Sequence, residues 1–124
     1  MYTIATRKNL IAQHYLPKEE GPESKKHSHL YRIEISLSGN FLDENGYLVN
    51  LIEIQSVFEE LIDHFRDKTL NDLEKFHKIN PSIENFARIF CESFIRRLMT
   101  PNVKSMSVKI WETEDTWASY QTEV

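Results

Sequence analysis

His27 and His29 stand two residues apart at the entrance to an alternating run, His27-Ser28-His29-Leu30-Tyr31-Arg32-Ile33-Glu34-Ile35-Ser36-Leu37. On a strand, side chains two apart share a face, so both imidazoles can converge on one small object. A neutral imidazole nitrogen is a good ligand for a divalent metal, zinc above all. A His-x-His pair met alone is usually a pair of solvated side chains. His14 changes the weighting, because it closes a first predicted strand and brings a third nitrogen if the two strands are neighbours. Three histidines with an open fourth position make the catalytic arrangement of zinc rather than the structural one. Taken singly, His14 reads as a partly buried strand-end residue.

Other residues carry weaker signals. Asp63-His64, near the end of a predicted helix, pairs a carboxylate with an imidazole and has the makings of an oriented general base. The plainer reading is a histidine that complements the helix dipole beside a solvated aspartate. Glu112, in Trp111-Glu112-Thr113, follows a strand and can accept two parallel hydrogen bonds from a guanidine-like edge; with 19 acidic residues in the chain, a plain surface acid is the alternative. Glu84, in Pro81-Ser82-Ile83-Glu84-Asn85, has an ordinary role in favouring a helix N-terminus. Cys91 lies between Phe90 and Phe94 at helical spacing and reads as inert packing. His77 has no partner in view, and Lys25 and Lys26 beside the histidine pair read as solvated lysines able to attract a small anion.

These residues need elements to hold them. Tyr2 to His14 is expected to form the first strand, Lys18 to Lys26 an irregular loop containing Gly21-Pro22, and His27 to Leu37 the second strand. Asp43-Glu44-Asn45-Gly46 is a turn signal. Asn50 is the expected N-cap of a helix, with Glu53 three residues on as in a capping box. Its apolar face is Leu51, Ile54, Val57, Phe58, Leu61, Ile62 and Phe65. A connector from Asp67 to Asn80 is anchored by Leu70, Leu73 and Phe76. A second helix opens at Pro81 or Ser82 and buries Ile83, Phe86, Ala87, Phe90, Phe94 and Leu98. Thr100-Pro101-Asn102 stops it. Val103 to Trp111 and Thr116 to Thr122 are the last two strands, with a turn over Glu112 to Asp115. The order ββααββ predicts one α+β domain over residues 1–124, a four-stranded antiparallel sheet with both helices on one face. Its two edges must be covered or paired.

Composition narrows the function classes. At 124 residues, 40% hydrophobic and 27% charged, the chain is of ordinary globular type. A net charge of −4 argues against nucleic acid as the main partner. No apolar run approaches the ~20 residues of a membrane span. The first residues, Met1 to Leu10, lack the apolar region of a secretory leader. A single cysteine rules out an internal disulfide and a closed cysteine-rich metal site, so a reducing cytoplasm is expected.

In order, then, the chain carries a lone histidine after the first strand (His14), His-x-His before the second (His27, His29), and Gly46 to Leu51 leading into a helix. Asp63-His64 with Leu70-Asn71-Asp72, Pro81-Ser82-x-Glu84-Asn85, and Glu112-Thr113 follow. Each fragment is weak singly, but their co-occurrence over nearly the whole chain resembles the 6-pyruvoyl-tetrahydropterin synthase family, which includes the 6-carboxy-tetrahydropterin synthases of queuosine biosynthesis. The resemblance implies the tunnelling fold, with sheets joined into a barrel, trimers stacked in pairs as a homohexamer, and active sites between subunits. It implies Zn2+ on His14, His27 and His29, acidifying the hydroxylated side chain of a pterin triphosphate, 7,8-dihydroneopterin triphosphate. It further implies Glu112 as the anchor of the pterin ring, Asp63 and His64 as proton-relay residues, and Glu84 with Ser82 as pocket residues from a neighbouring subunit.

Two departures bear on the chemistry. The family's His-Gly-His is His27-Ser28-His29 here, a change that leaves ligation intact. The family's cysteine, a few residues before the histidine pair, is absent; Glu23 stands four residues before His27, with Glu19 and Glu20 as rivals. Family members that resemble this chain in carrying a glutamate in that loop release 6-hydroxymethyl-dihydropterin by side-chain cleavage. A free carboxyl with a pKa of ~4.3 is a weaker base than a thiolate at ~8.5, so the replacement is expected to change which proton is taken and which bond breaks. The expected activity is therefore a zinc-dependent lyase with Glu23 as base. The alternatives are a 6-carboxy-tetrahydropterin synthase and a non-catalytic pterin- or metal-binding homologue.

Overall fold

The structure, a computed structural model, describes residues 1–124. Strands β1 (Tyr2–His14), β2 (His27–Gly39), β3 (Ser105–Trp111) and β4 (Trp117–Glu123) form one antiparallel sheet in that spatial order, with helices α1 (Leu51–Phe65) and α2 (Ile83–Ile95) between β2 and β3. The expected α+β architecture is the one that forms. Alternation sets the layers: Leu10 and Ala12 of β1, Tyr31, Ile33, Ile35 and Leu37 of β2, and Met106, Val108 and Ile110 of β3 are all buried on one face. The opposite face carries Arg7, Glu34, Lys109, Trp111 and Trp117, tied by an Arg7–Glu34 ion pair and by Lys109 above both indoles. No helix is long and apolar enough to cross a membrane.

The helices complete the core with aromatic rings. Phe58 and Phe65 of α1 meet Phe86, Phe90 and Phe94 of α2 with ring centroids 5.4 to 6.2 Å apart, and each fully buried ring contributes about 1.5–3 kcal/mol by leaving water. Asn50 starts α1 as expected, its side-chain oxygen accepting from the N–H groups of Ile52 and Glu53 at 3.0 and 3.3 Å. Ser82 starts α2 in the same way, accepting from Asn85 N–H at 3.2 Å. Leu51 departs from the expected buried face: it is 45% exposed, because the first turn of α1 sits where core-facing periodicity has not yet met the sheet. Leu98 lies beyond the last turn of α2 and is only half-buried.

Connections that sequence left irregular are well tied. Gly21–Ser24 forms a short 3-10 turn, and Leu16 N–H donates to Glu23 O at 2.7 Å, closing the β1–β2 loop on itself. Asn71 clamps the chain directly after His14, accepting from Tyr15 N–H at 3.0 Å and donating to Tyr15 O at 2.9 Å. Leu70 and Phe76 anchor the connector in the core, as expected.

Gly39, the last residue of β2, packs against the chain that enters β3. A Cβ there would lie 2.0 Å from the Asn102 carbonyl oxygen and 2.9 Å from Leu48 Cδ1. Gly39→Ala is therefore expected to lower the unfolding free energy by about 1–3 kcal/mol, read as a fall in the urea midpoint with an unchanged slope.

Candidate metal centre

The β1–β2 register carries the site. His14 pairs directly with His27, and Ala12 with His29. Since directly paired residues share a face, all three imidazoles fall on the core side of the sheet, just beyond Leu10 and Tyr31. Their ring centroids lie 4.6, 4.8 and 5.0 Å apart, with the planes 73° to 88° from one another. Each ring thus offers an edge rather than a face to its neighbours.

The outward nitrogens of two rings are fixed by backbone. His14 Nδ1–H donates to Pro81 O at 2.8 Å, and His27 Nδ1–H donates to Lys25 O at 2.7 Å. A carbonyl only accepts, so the proton sits on Nδ1 and the lone pair is left on Nε2. Nε2 of His14, His27 and His29 are all out of contact with solvent and without a hydrogen-bond partner. Unpaired buried nitrogens cost about 1–3 kcal/mol each; three aimed together are what a bound cation relieves.

Two carboxylates join them. Glu23 Oε2 is 3.3 Å from His27 Nε2. Glu112 Oε1 is 2.8 Å from His29 Nε2 and 3.8 Å from His14 Nε2. The shorter approach lacks hydrogen-bond alignment, so it does not satisfy the His29 nitrogen. The five side chains bring one ligand atom each to within 4.8 Å of one another. Such a set fits a divalent metal with nitrogen and oxygen donors.

Burial, chiefly, holds His14 below the ordinary imidazole pKa, with the neighbouring His27 and His29 adding to the shift and the Pro81 carbonyl opposing it. Tyr31 is fully buried, and burial together with the charges of Glu112 and Glu23 pushes its phenol far up, so it stays protonated. Its hydroxyl oxygen lies 3.2 Å from His14 Nδ1 and shares that proton with Pro81 O.

The remaining expected site residues are distributed unevenly. Glu19 and Glu20 are exposed and outside the cluster, whereas Glu23 is in it. Glu112, expected at the ring of a substrate, stands beside the Nε2 atoms of His29 and His14. Asp63 and His64 occupy the last turn of α1, exposed and outside the cluster within one chain. Asp63 is ion-paired with Arg66, and His64 packs on Phe65 with its pKa lowered by burial and by Lys75, Lys68 and Arg97. Ser82 is occupied as the α2 cap, and Glu84 is exposed in the first turn of α2, three residues past the carbonyl that holds His14. Cys91 is buried and its thiol is pushed up to about 11 by burial, which fits inert packing. Sequence reasoning missed the backbone partners Lys25 O and Pro81 O, for which no side chain gives a signal. It also missed Tyr31, whose inward parity one step from His29 was readable.

The sequence matches the family described as 6-pyruvoyl tetrahydropterin synthase over residues 3–123. A 6-carboxy-5,6,7,8-tetrahydropterin synthase of Bacillus subtilis (strain 168) is 31% identical over 121 residues, spanning 91% of this chain and 80% of that protein. A 6-pyruvoyl tetrahydrobiopterin synthase of Dictyostelium discoideum is 30% identical over 101 residues, spanning 78% and 71%. Among solved structures, the Caenorhabditis elegans 6-pyruvoyl tetrahydropterin synthase superposes with a TM-score of 0.82 at 21% identity, over 98% of this chain and 95% of that one. At that identity the likeness speaks for the fold.

His14→Ala and His29→Ala are each expected to reduce metal carried by the purified protein from about one ion per chain to near none, measured by plasma emission. The metal-free protein gives a separate check. Because the folded His14 pKa lies below 6.5, the folded chain binds fewer protons there than the unfolded chain. Its unfolding temperature is therefore expected to fall as pH drops from 6.5 toward the folded His14 value, and this histidine contributes no slope above 6.5.

Proposed function

The chain belongs to the 6-pyruvoyl tetrahydropterin synthase family, and on that premise we propose that it is a zinc-dependent lyase acting on 7,8-dihydroneopterin triphosphate, with Glu23 as the base. Its relatives are named as tetrahydropterin synthases, which are lyases, and an enzyme is what the chain is read to be. One observation carries the finer reading: a carboxylate on the β1–β2 loop, Glu23, reaches to 3.3 Å of a histidine nitrogen inside a cluster of unpartnered ligand nitrogens.

When bound, the metal supplies Lewis acidity that loosens the protons of the substrate's side-chain hydroxyls. The chain's own part is to position and to accept. Lys25 O and Pro81 O hold two histidines in the ligating tautomer. Glu23, half-exposed on a loop closed by Leu16 and Glu23 backbone, is placed to take a proton from a side-chain hydroxyl of the substrate. A carboxylate suits that step better than removal of a proton from carbon, for which a thiolate is the stronger base. Loss of the proton from the hydroxyl farther from the ring favours cleavage of the bond between the two hydroxyl-bearing carbons: that oxygen becomes the carbonyl of a departing triphosphorylated aldehyde, the ring-side carbon takes up a proton, and 6-hydroxymethyl-dihydropterin is the expected product. Glu84 and Ser82, just past Pro81, are proposed to line the ring pocket. Asp63 and His64 act in a proton relay only if a second copy brings them to the cluster. The outer edge of β4, and that of β1 ahead of Ile11 where the 67–69 segment pairs with it, leave room for such assembly into a homohexamer with shared sites. A chain with one buried, free cysteine fits the reducing cytoplasm.

The second reading, a 6-carboxy-tetrahydropterin synthase, is favoured by the Bacillus subtilis relative at 31% identity. The missing loop cysteine favours the first. Zinc-loaded protein incubated with dihydroneopterin triphosphate, followed by chromatography, separates them by product. Substrate left unconsumed would leave only binding. Glu23→Ala is expected to cut turnover by at least about 10²-fold while metal content stays at the wild-type level; undiminished turnover removes Glu23 from the role.

A further inference from the structure

We propose that Glu112 is a ligand of the metal in the substrate-free protein, making a site of three histidines and one carboxylate rather than three histidines alone. The proposal rests on reading the cluster as the metal centre of this lyase. Glu112 Oε1 approaches two of the three nitrogens, His29 Nε2 at 2.8 Å and His14 Nε2 at 3.8 Å, whereas Glu23 approaches only His27. Four ligands set tetrahedrally at 2.0–2.2 Å from an ion are separated from one another by roughly 3.3 Å. The two Glu112 separations bracket that spacing.

Charge points the same way. Glu112 has no lysine or arginine within ion-pair distance; the basic side chains beside it are His14 and His29. A partly buried carboxylate with no permanent cation beside it is one that a bound metal would neutralise. The backbone also keeps it there. Glu112 N–H donates to Thr116 O at 3.0 Å, and the Thr113 hydroxyl oxygen accepts from Asp115 and Thr116 N–H at 3.3 and 3.2 Å, so the turn after β3 is fixed. Its side chain is 22% exposed against 49% for Glu23 and loses less freedom on binding.

Geometry separates this role from that of ring anchor. A pterin held by its amide edge projects its C6 side chain from the opposite end of the bicycle. A carboxylate touching the ligand nitrogens cannot grip that edge while the side chain reaches the same nitrogens' ion. Glu112 therefore serves the metal end, and it must give way when substrate hydroxyls bind there.

Zinc affinity by chelator competition and the visible spectrum of the cobalt(II)-substituted protein test this without turnover. Glu112→Gln is expected to weaken zinc by at least about 10-fold and to shift the cobalt bands, while Glu112→Asp recovers part of the affinity. Equal unfolding midpoints of the metal-free wild type and Glu112→Gln exclude a folding cause, and the Asp variant carries the test if Gln misfolds. Wild-type zinc affinity and cobalt spectrum in Glu112→Gln overturn the proposal, as does a wild-type protein that holds no zinc. The lyase reading is judged apart, by wild-type consumption of dihydroneopterin triphosphate.

Discussion

The antiparallel pairing of β1 with β2 sets His14 opposite His27 and Ala12 opposite His29, and the meeting of the three histidines in the candidate metal centre follows from that register. A slip of one residue would send the histidines of one strand to the other face of the sheet. What prevents the slip is hydrophobic burial a few residues away: Leu10 opposite Tyr31 and the inward Ile33, Ile35 and Leu37 are at most 2% exposed. The core thus holds the three imidazoles together. The same preorganisation leaves three nitrogens unpaired, a cost that the rest of the fold must cover.

Core and site are continuous in space. Tyr31 touches His14 and His29 on one side and packs its ring 5.2 Å from Phe86 on the other. Phe86 in turn meets Phe65 and Phe90. A second link is polar: the carbonyl of Pro81, just ahead of the Ser82 cap, holds His14. The start of α2, where Glu84 lies, is therefore placed by the same bond that orients a ligand. One peptide group thus links the histidine cluster to the start of α2.

Much of this was legible in the residues. Strong alternation in His27 to Leu37 and strong helical spacing from Ile54 to Phe65 and from Ile83 to Phe94 foretold the elements and most of the core, and the spacing of His14, His27 and His29 foretold that the three rings meet. Leu51 was misassigned because periodicity alone does not say where a helix first meets a sheet. The place of Glu112 beside His14 and His29 was harder to read, since a strand-end acid looks alike whether it faces histidines, a ligand or water. Main-chain partners such as Lys25 O and Pro81 O leave no trace in side-chain identity. Asp63-His64 shows the opposite limit: adjacent chemistry in sequence that one chain leaves at an exposed helix end.

The central claim is that the three Nε2 atoms share one ion, and anomalous diffraction from crystals grown with zinc tests it most directly. Data collected on both sides of the zinc edge should show a single strong peak within ~2.0–2.1 Å of Nε2 of His14, His27 and His29. Density that is absent there, or a zinc bound elsewhere with these three rings turned apart, contradicts the account.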